Sequence, residues 1–164
     1  MKPFHPFIAR LARTLLLLAV PASALLHPAG PAAAQGDTQA SYRPVDLEKF
    51  VDGSRTEIAG QRIVLRPENV SFVAVLEDPP APQRAEYLTS VLHMMQASEV
   101  PEVRQRIVLR YGDERFLTAY IEAGVARRLA ETAKVGERRR FYALHVYNYS
   151  KGPALLITSF GDAE

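Results

Sequence analysis

Between Arg138 and Tyr149 the chain places Phe141, Ala143, His145, Tyr147 and Tyr149 at every second position. Successive side chains of an extended strand point to opposite faces, so these residues would share one face. Tyr142, Leu144, Val146 and Asn148 would share the other, and Leu144 and Val146 make that the expected core side. The first face would then hold three aromatic rings and an imidazole toward solvent. Such a surface can stack a flat ligand, a sugar or a peptide side chain. The competing reading pairs the same rings across a sheet or under a helix.

Arginines alternate in a similar way. Arg62, Val64 and Arg66 oppose Ile63 and Leu65, while Arg104, Arg106, Val108 and Arg110 oppose Ile107 and Leu109. If the two segments pair, a row of guanidinium groups results. Its planar forks suit phosphate, carboxylate or lipid headgroups. A solvated outer face is the plainer account, and Arg138-Arg139-Arg140 beside Glu137 carries the same ambiguity. The candidate ligand contacts are therefore Phe141, His145, Tyr147, Tyr149, Arg106 and Arg110.

Reactive constellations are poor by comparison. Beyond residue 34 the histidines are His93 and His145, far apart, and the chain has no cysteine. A zinc site needs three or four ligands, commonly with a close pair, and none is visible. Neither a Gly-rich phosphate loop nor a Gly-x-Ser-x-Gly turn occurs. No residue is expected to be catalytic, and no metal or cofactor is expected. The alternative is a small periplasmic hydrolase or transferase with His145 as acid–base, its pKa tuned by the surrounding rings.

The first 34 residues state an address. Lys2, Arg10 and Arg13 precede the apolar run Leu15–Val20, and small residues lead to Ala32-Ala33-Ala34. That order is a secretory signal peptide. The run is short of the roughly 20 apolar residues that span a bilayer. Cleavage fits after Ala24 or after Ala34, and the polar Gln35-Gly36-Asp37 favours the second. The expected location is the bacterial periplasm or exterior, with no stable membrane anchor after cleavage.

Three of the 20 basic residues leave with that leader, so 17 Lys+Arg face 18 Asp+Glu and the net charge is −1. A nucleic-acid partner, which needs a basic footprint, is disfavoured. An envelope protein or a small anionic or aromatic ligand suits the composition better. Without cysteines there are no disulfides, so 164 minus 34, or 130, residues must fold by apolar burial. Single domains commonly run to about 100–150 residues, which makes one domain over 44–164 after a flexible 35–43 segment the expectation.

The pattern sets out the positioning elements. Pro44 to Val51 makes one or two helical turns ended by Gly53, and 62–66 and 69–76 are strands separated by Pro67. Asp78-Pro79-Pro80-Ala81-Pro82 should end that sheet region. Tyr87, Leu88, Val91, Leu92 and Met95 form one stripe of a helix over 83–97, which is either a lid or core cover. Strands at 103–110 and 114–121 flank a Tyr111-Gly112-Asp113 turn, a helix covers 125–134, and strands at 138–149 and 154–160 close the chain.

The hexapeptide Gln61–Arg66 recurs as Gln105–Arg110. It signals either a ββα duplication or a chance recurrence in biased composition.

The order is strand, helix, two strands, helix, two strands. It resembles an OB-fold, a five-stranded Greek-key barrel with a helix between its third and fourth strands. Gly60-Gln61-Arg62-Ile63-Val64-Leu65 and Leu129–Glu137 are similar to stretches of OB-type domains in exported bacterial proteins. The resemblance spans roughly Phe50 to Gly161 and implies a β-rich α+β, OB-like barrel. An open antiparallel sheet with helices on one face is the rival. The functional expectation is an exported, non-catalytic binding module.

Overall fold

The computed structural model describes residues 41–97 and 99–163. The leader reading over 1–34, and residues 35–40 of the following segment, lie outside that range. Among the described residues six strands form: β1 (Arg43–Pro44), β2 (Arg62–Pro82), β3 (Val103–Tyr111), β4 (Arg115–Glu122), β5 (Arg138–Tyr149) and β6 (Gly152–Asp162). Three helices accompany them: α1 (Leu47–Gly53), α2 (Glu86–Met94) and α3 (Ala123–Thr132). No described helix is long and apolar enough to cross a membrane.

The strands make one mixed sheet in the order β1-β2-β3-β4-β6-β5, and β2 also pairs with β5. Strands β2 to β6 therefore form a ring of hydrogen bonds, with β1 added to β2. Pairings are antiparallel except β1–β2 and β4–β6. The β4–β6 seam is short, joining Tyr120 to Leu156 and Ile121 to Ile157. The rival open sheet with helices on one face does not form, because β2 pairs with β5.

Where two strands are expected over 62–66 and 69–76, a single strand runs from Arg62 to Pro82. The prolines do not end it. Pro67 falls where the register against β5 shifts, between Val64 and Glu68. Pro79 and Pro80 fall where the register against β3 shifts, between Asp78 and Ala81. Pairing with β5 stops at Val75, so the end of β2 from Glu77 to Pro82 needs hydrogen bonds on one side only. A missing N–H costs least at such an edge or bulge.

The repeated hexapeptides occupy different places. Arg62, Ile63 and Val64 pair with the end of β5, whereas Gln105 to Arg110 lies between β2 and β4. The two copies never pair with each other, so the expected arginine row across them is not built.

Two cores result. Alternate residues of all five ring strands meet in the first, among them Phe72, Leu109, Ile121, Phe141 and Ile157. Leu129 of α3 and Val51 of α1 join them. The second core lies on the other side of the sheet. There the α2 stripe Leu88, Val91 and Leu92 covers Val146, Tyr147, Ala154 and Leu156.

The end of the expected flexible segment is tied down. The Tyr42 hydroxyl lies 2.8 Å from Thr158 Oγ1 and its ring meets Tyr142 edge-on at 5.2 Å. Arg43 forks onto Glu68 at 2.6 and 2.9 Å. Asp46 then starts α1 by accepting the Glu48 and Lys49 N–H groups, the usual role of an N-cap carboxylate.

Candidate functional site

The structure separates the residues expected to share an aromatic face. Phe141 is fully buried in the ring core, its ring 6.2 Å from that of Phe72. His145 is 5% exposed, lies edge-on to Phe50 of α1 at 5.0 Å, and places Nε2 2.7 Å from Asn148 Oδ1. Tyr147 is buried beneath α2, with the Tyr87 ring edge-on at 5.0 Å. Tyr149 is partly buried, 6.1 Å from Tyr147.

Alternation fails here for two physical reasons. Strand β5 is paired on both sides and covered on both faces, by the ring core with α1 and by α2. Its register against β6 also jumps from His145–Leu155 to Tyr147–Ala154. Val146 is the extra residue, so Val146 and Tyr147 both fall in the cluster under α2. The expected solvent-facing surface of Phe141, His145 and Tyr147 is therefore absent.

Of the two arginines, Arg110 is held by Glu77 with Nε 3.0 Å from Oε2. Arg106 enters a cleft of about 310 Å³ with Gln83, Thr118, Tyr120, Tyr149 and Lys151. The register Arg106–Tyr120 and Val108–Thr118 sets these side chains together on the outer face of β3 and β4. Ile107, Leu117, Ala119 and Ile121 turn the other way, into the ring core. The β5–β6 hairpin supplies Tyr149 and Lys151. Gln83 follows β2, fixed by its N–H to the Arg104 carbonyl at 2.9 Å.

No acidic residue lines this cleft, and neither Arg106 nor Lys151 forms an ion pair with a described residue. Two cations in one partly desolvated recess favour an anion. Burial raises the Tyr147 and Tyr149 phenols above their ordinary range, so both stay neutral and able to donate. Thr118 and Gln83 add a hydroxyl and a carboxamide. The arrangement can bind and orient an anion that also carries hydroxyls. Among the described residues no three His, Cys, Asp or Glu side chains gather as metal ligands.

The expected contacts include Arg106 and Tyr149 but not Gln83, Thr118, Tyr120 or Lys151. The signal for two of them was present. Phe116, Thr118, Tyr120 and Glu122 alternate with Leu117, Ala119 and Ile121 along β4.

Away from this cleft, burial holds the His145 imidazole below its usual value, partly opposed by Asn148 and by the charge of Glu68. The unfolded imidazole takes a proton near pH 6.5, the folded one only at lower pH. Protons therefore favour the unfolded chain. The contribution is complete above about pH 6.5 and is lost as pH falls from there through the folded value. The melting temperature should decline between pH 7 and pH 5, and His145→Gln should flatten that decline. An unchanged slope in the variant would assign the titration to another group.

No family model matches this chain and no curated protein matches it, so what the cleft recognises must be read from its own side chains.

Proposed function

We propose that the protein is an exported, non-catalytic binding module, an OB-type barrel in architecture, whose Arg106–Lys151 cleft takes a small anionic ligand bearing hydroxyl groups. The barrel reading is supported by the ring order β2-β3-β4-β6-β5, closing on β2, with α3 between the third and fourth ring strands. Apart from α2, which the simple pattern lacks, this order is consistent with the OB pattern. Fold likeness carries no ligand with it. The observation that carries the binding reading is the pair of unpaired cations in a recess without acids. Export rests on the leader alone. A hydrolase or transferase working through His145 would need Phe50 and α1 to leave the imidazole, which is 5% exposed.

Galacturonate and inorganic phosphate are suitable probes. Either should shift the backbone amide NMR signals of Thr118, Tyr120 and Lys151 in the wild-type protein. The Arg106→Ala/Lys151→Ala double variant should lose those shifts while its melting temperature moves by no more than about 3 °C, since neither side chain is in the core. A wild-type cleft silent to both anions would overturn the reading.

A further inference from the structure

Midway along β2 one residue is left without a strand partner on one side. The Ser71 carbonyl accepts the Val45 N–H at 2.8 Å, toward β1. Leu76 instead exchanges bonds of 2.9 and 2.8 Å with Glu137 and Gly136, toward β5. The N–H and C=O of one strand residue point to the same side, and those of the next residue to the other. Val73 therefore addresses the side of β1 and β3. Strand β1 pairs only up to Ser71 and β3 only from Val75, so no described strand meets Val73 there. Continuing the Val75–Arg110 register would set Gly112 opposite Val73, but the chain turns at Gly112, where φ is +51°. The opening is one residue wide. It cannot admit a strand, but it can admit a single amino-acid unit.

A recess of about 340 Å³ lies over this opening, between the start of α1 and the end of β3. It continues into a smaller one of about 220 Å³, and Val73, Tyr111 and Gly112 line both. Charges of both signs surround it. Asp46 is occupied in starting α1, and Arg110 in holding Glu77. Glu48 gives only Oε1 to Arg115, at 3.0 Å. Its Oε2 lies 3.1 Å from where a Cβ on Gly112 would stand, so it faces the opening. Arg138, across the sheet from Val75, lines the smaller part, is exposed, and forms no ion pair with a described residue.

We infer that this recess binds a free α-amino acid. The ammonium group donates to the Val73 carbonyl and to Glu48 Oε2. The carboxylate accepts from the Val73 N–H and from Arg138. Such a ligand completes the main-chain pairing of β2 and matches one free charge of each sign. A bare anion would leave both acceptors unmatched, and a peptide C terminus brings one N–H to two acceptors. The larger volume is near the bottom of the range for small-molecule sites, which suits a ligand of few atoms. Gly112 is six strand residues from Arg106, or about 20 Å, so the site does not rest on the cleft reading.

Backbone amide NMR on the folded protein tests this through the signals of Val73 and Gly112. L-Alanine should shift both to saturation. N-Acetyl-L-alanine lacks the ammonium and L-alaninamide the carboxylate, so each should bind at least about tenfold more weakly. Glu48→Gln and Arg138→Ala should each weaken alanine by about fivefold or more, whereas Arg106→Ala should leave it unchanged. The exposed Arg138 keeps the test open should Glu48→Gln loosen α1. Silence of Val73 and Gly112 toward alanine would overturn the inference. So would equal binding of either derivative, tighter binding of inorganic phosphate, or an alanine affinity unmoved in both variants.

Discussion

Replacing Phe141 by alanine should lower the unfolding free energy by about 3–5 kcal/mol. Its side chain is fully buried, and its partners come from both sides of β5: Phe72 pairs with it across β2 and Phe160 across β6. Neighbours fixed by two hydrogen-bonded strands cannot move in to fill the space left by a phenyl ring, so most of the cavity would persist. The effect discriminates between two placements of this residue. A ring on a solvent-facing platform could be removed for roughly 0.5 kcal/mol or less. Urea unfolding is the measurement, with the transition midpoint falling and the m-value unchanged. The milder Phe141→Leu keeps a populated folded state if the alanine variant is too unstable to study. A loss below about 1 kcal/mol for alanine would contradict the ring-interior position.

Local periodicity made much of the fold legible. The 138–149 strand, the Tyr111-Gly112-Asp113 turn and the apolar stripe of α2 all depend on residues within one or two turns of one another. The strand bounds Arg138 and Tyr149 match those observed. The long β2 was not legible, because the cost of Pro79 and Pro80 depends on whether a neighbour needs their missing N–H. Strand β5 supplies no partner beyond Val75, so bulges absorb those prolines. That condition is set by a strand more than 50 residues away in the chain, which no local pattern encodes.

The candidate site shows the same division. Arg106 was marked by its alternation with Ile107, and Tyr120 could have been marked by its alternation with Ile121. Nothing local joins them to Lys151 or Gln83. Those residues meet because the β5–β6 hairpin and the end of β2 are brought to one end of the ring by pairings remote in sequence. Tyr147 and Tyr149 depart from the pattern for the opposite reason. The pattern along β5 was read as continuous, and one bulged residue, Val146, reverses which face the next side chain joins. A sheet covered on both faces also leaves no polar side to reveal the phase.

Gly152→Ala should be the most damaging change outside the large core side chains, at about 2–4 kcal/mol. Gly152 opens β6 with φ at +124°, a backbone region that side-chain-bearing residues rarely enter. A Cβ there would also lie 3.0 Å from Val51 Cγ1, and Val51 is itself buried on α1. Two costs are involved, and a double-mutant cycle separates them. In a Val51→Ala background the contact is relieved while the backbone strain remains, so the added cost of Gly152→Ala should fall to roughly 1–3 kcal/mol. The smaller conformational freedom of unfolded alanine offsets only about 0.4–1 kcal/mol of either figure. Because Val51 packs α1 against the start of β6, an identical cost in both backgrounds would mean that α1 yields freely at this contact. That outcome would also loosen the argument that α1 and Phe50 keep His145 from solvent.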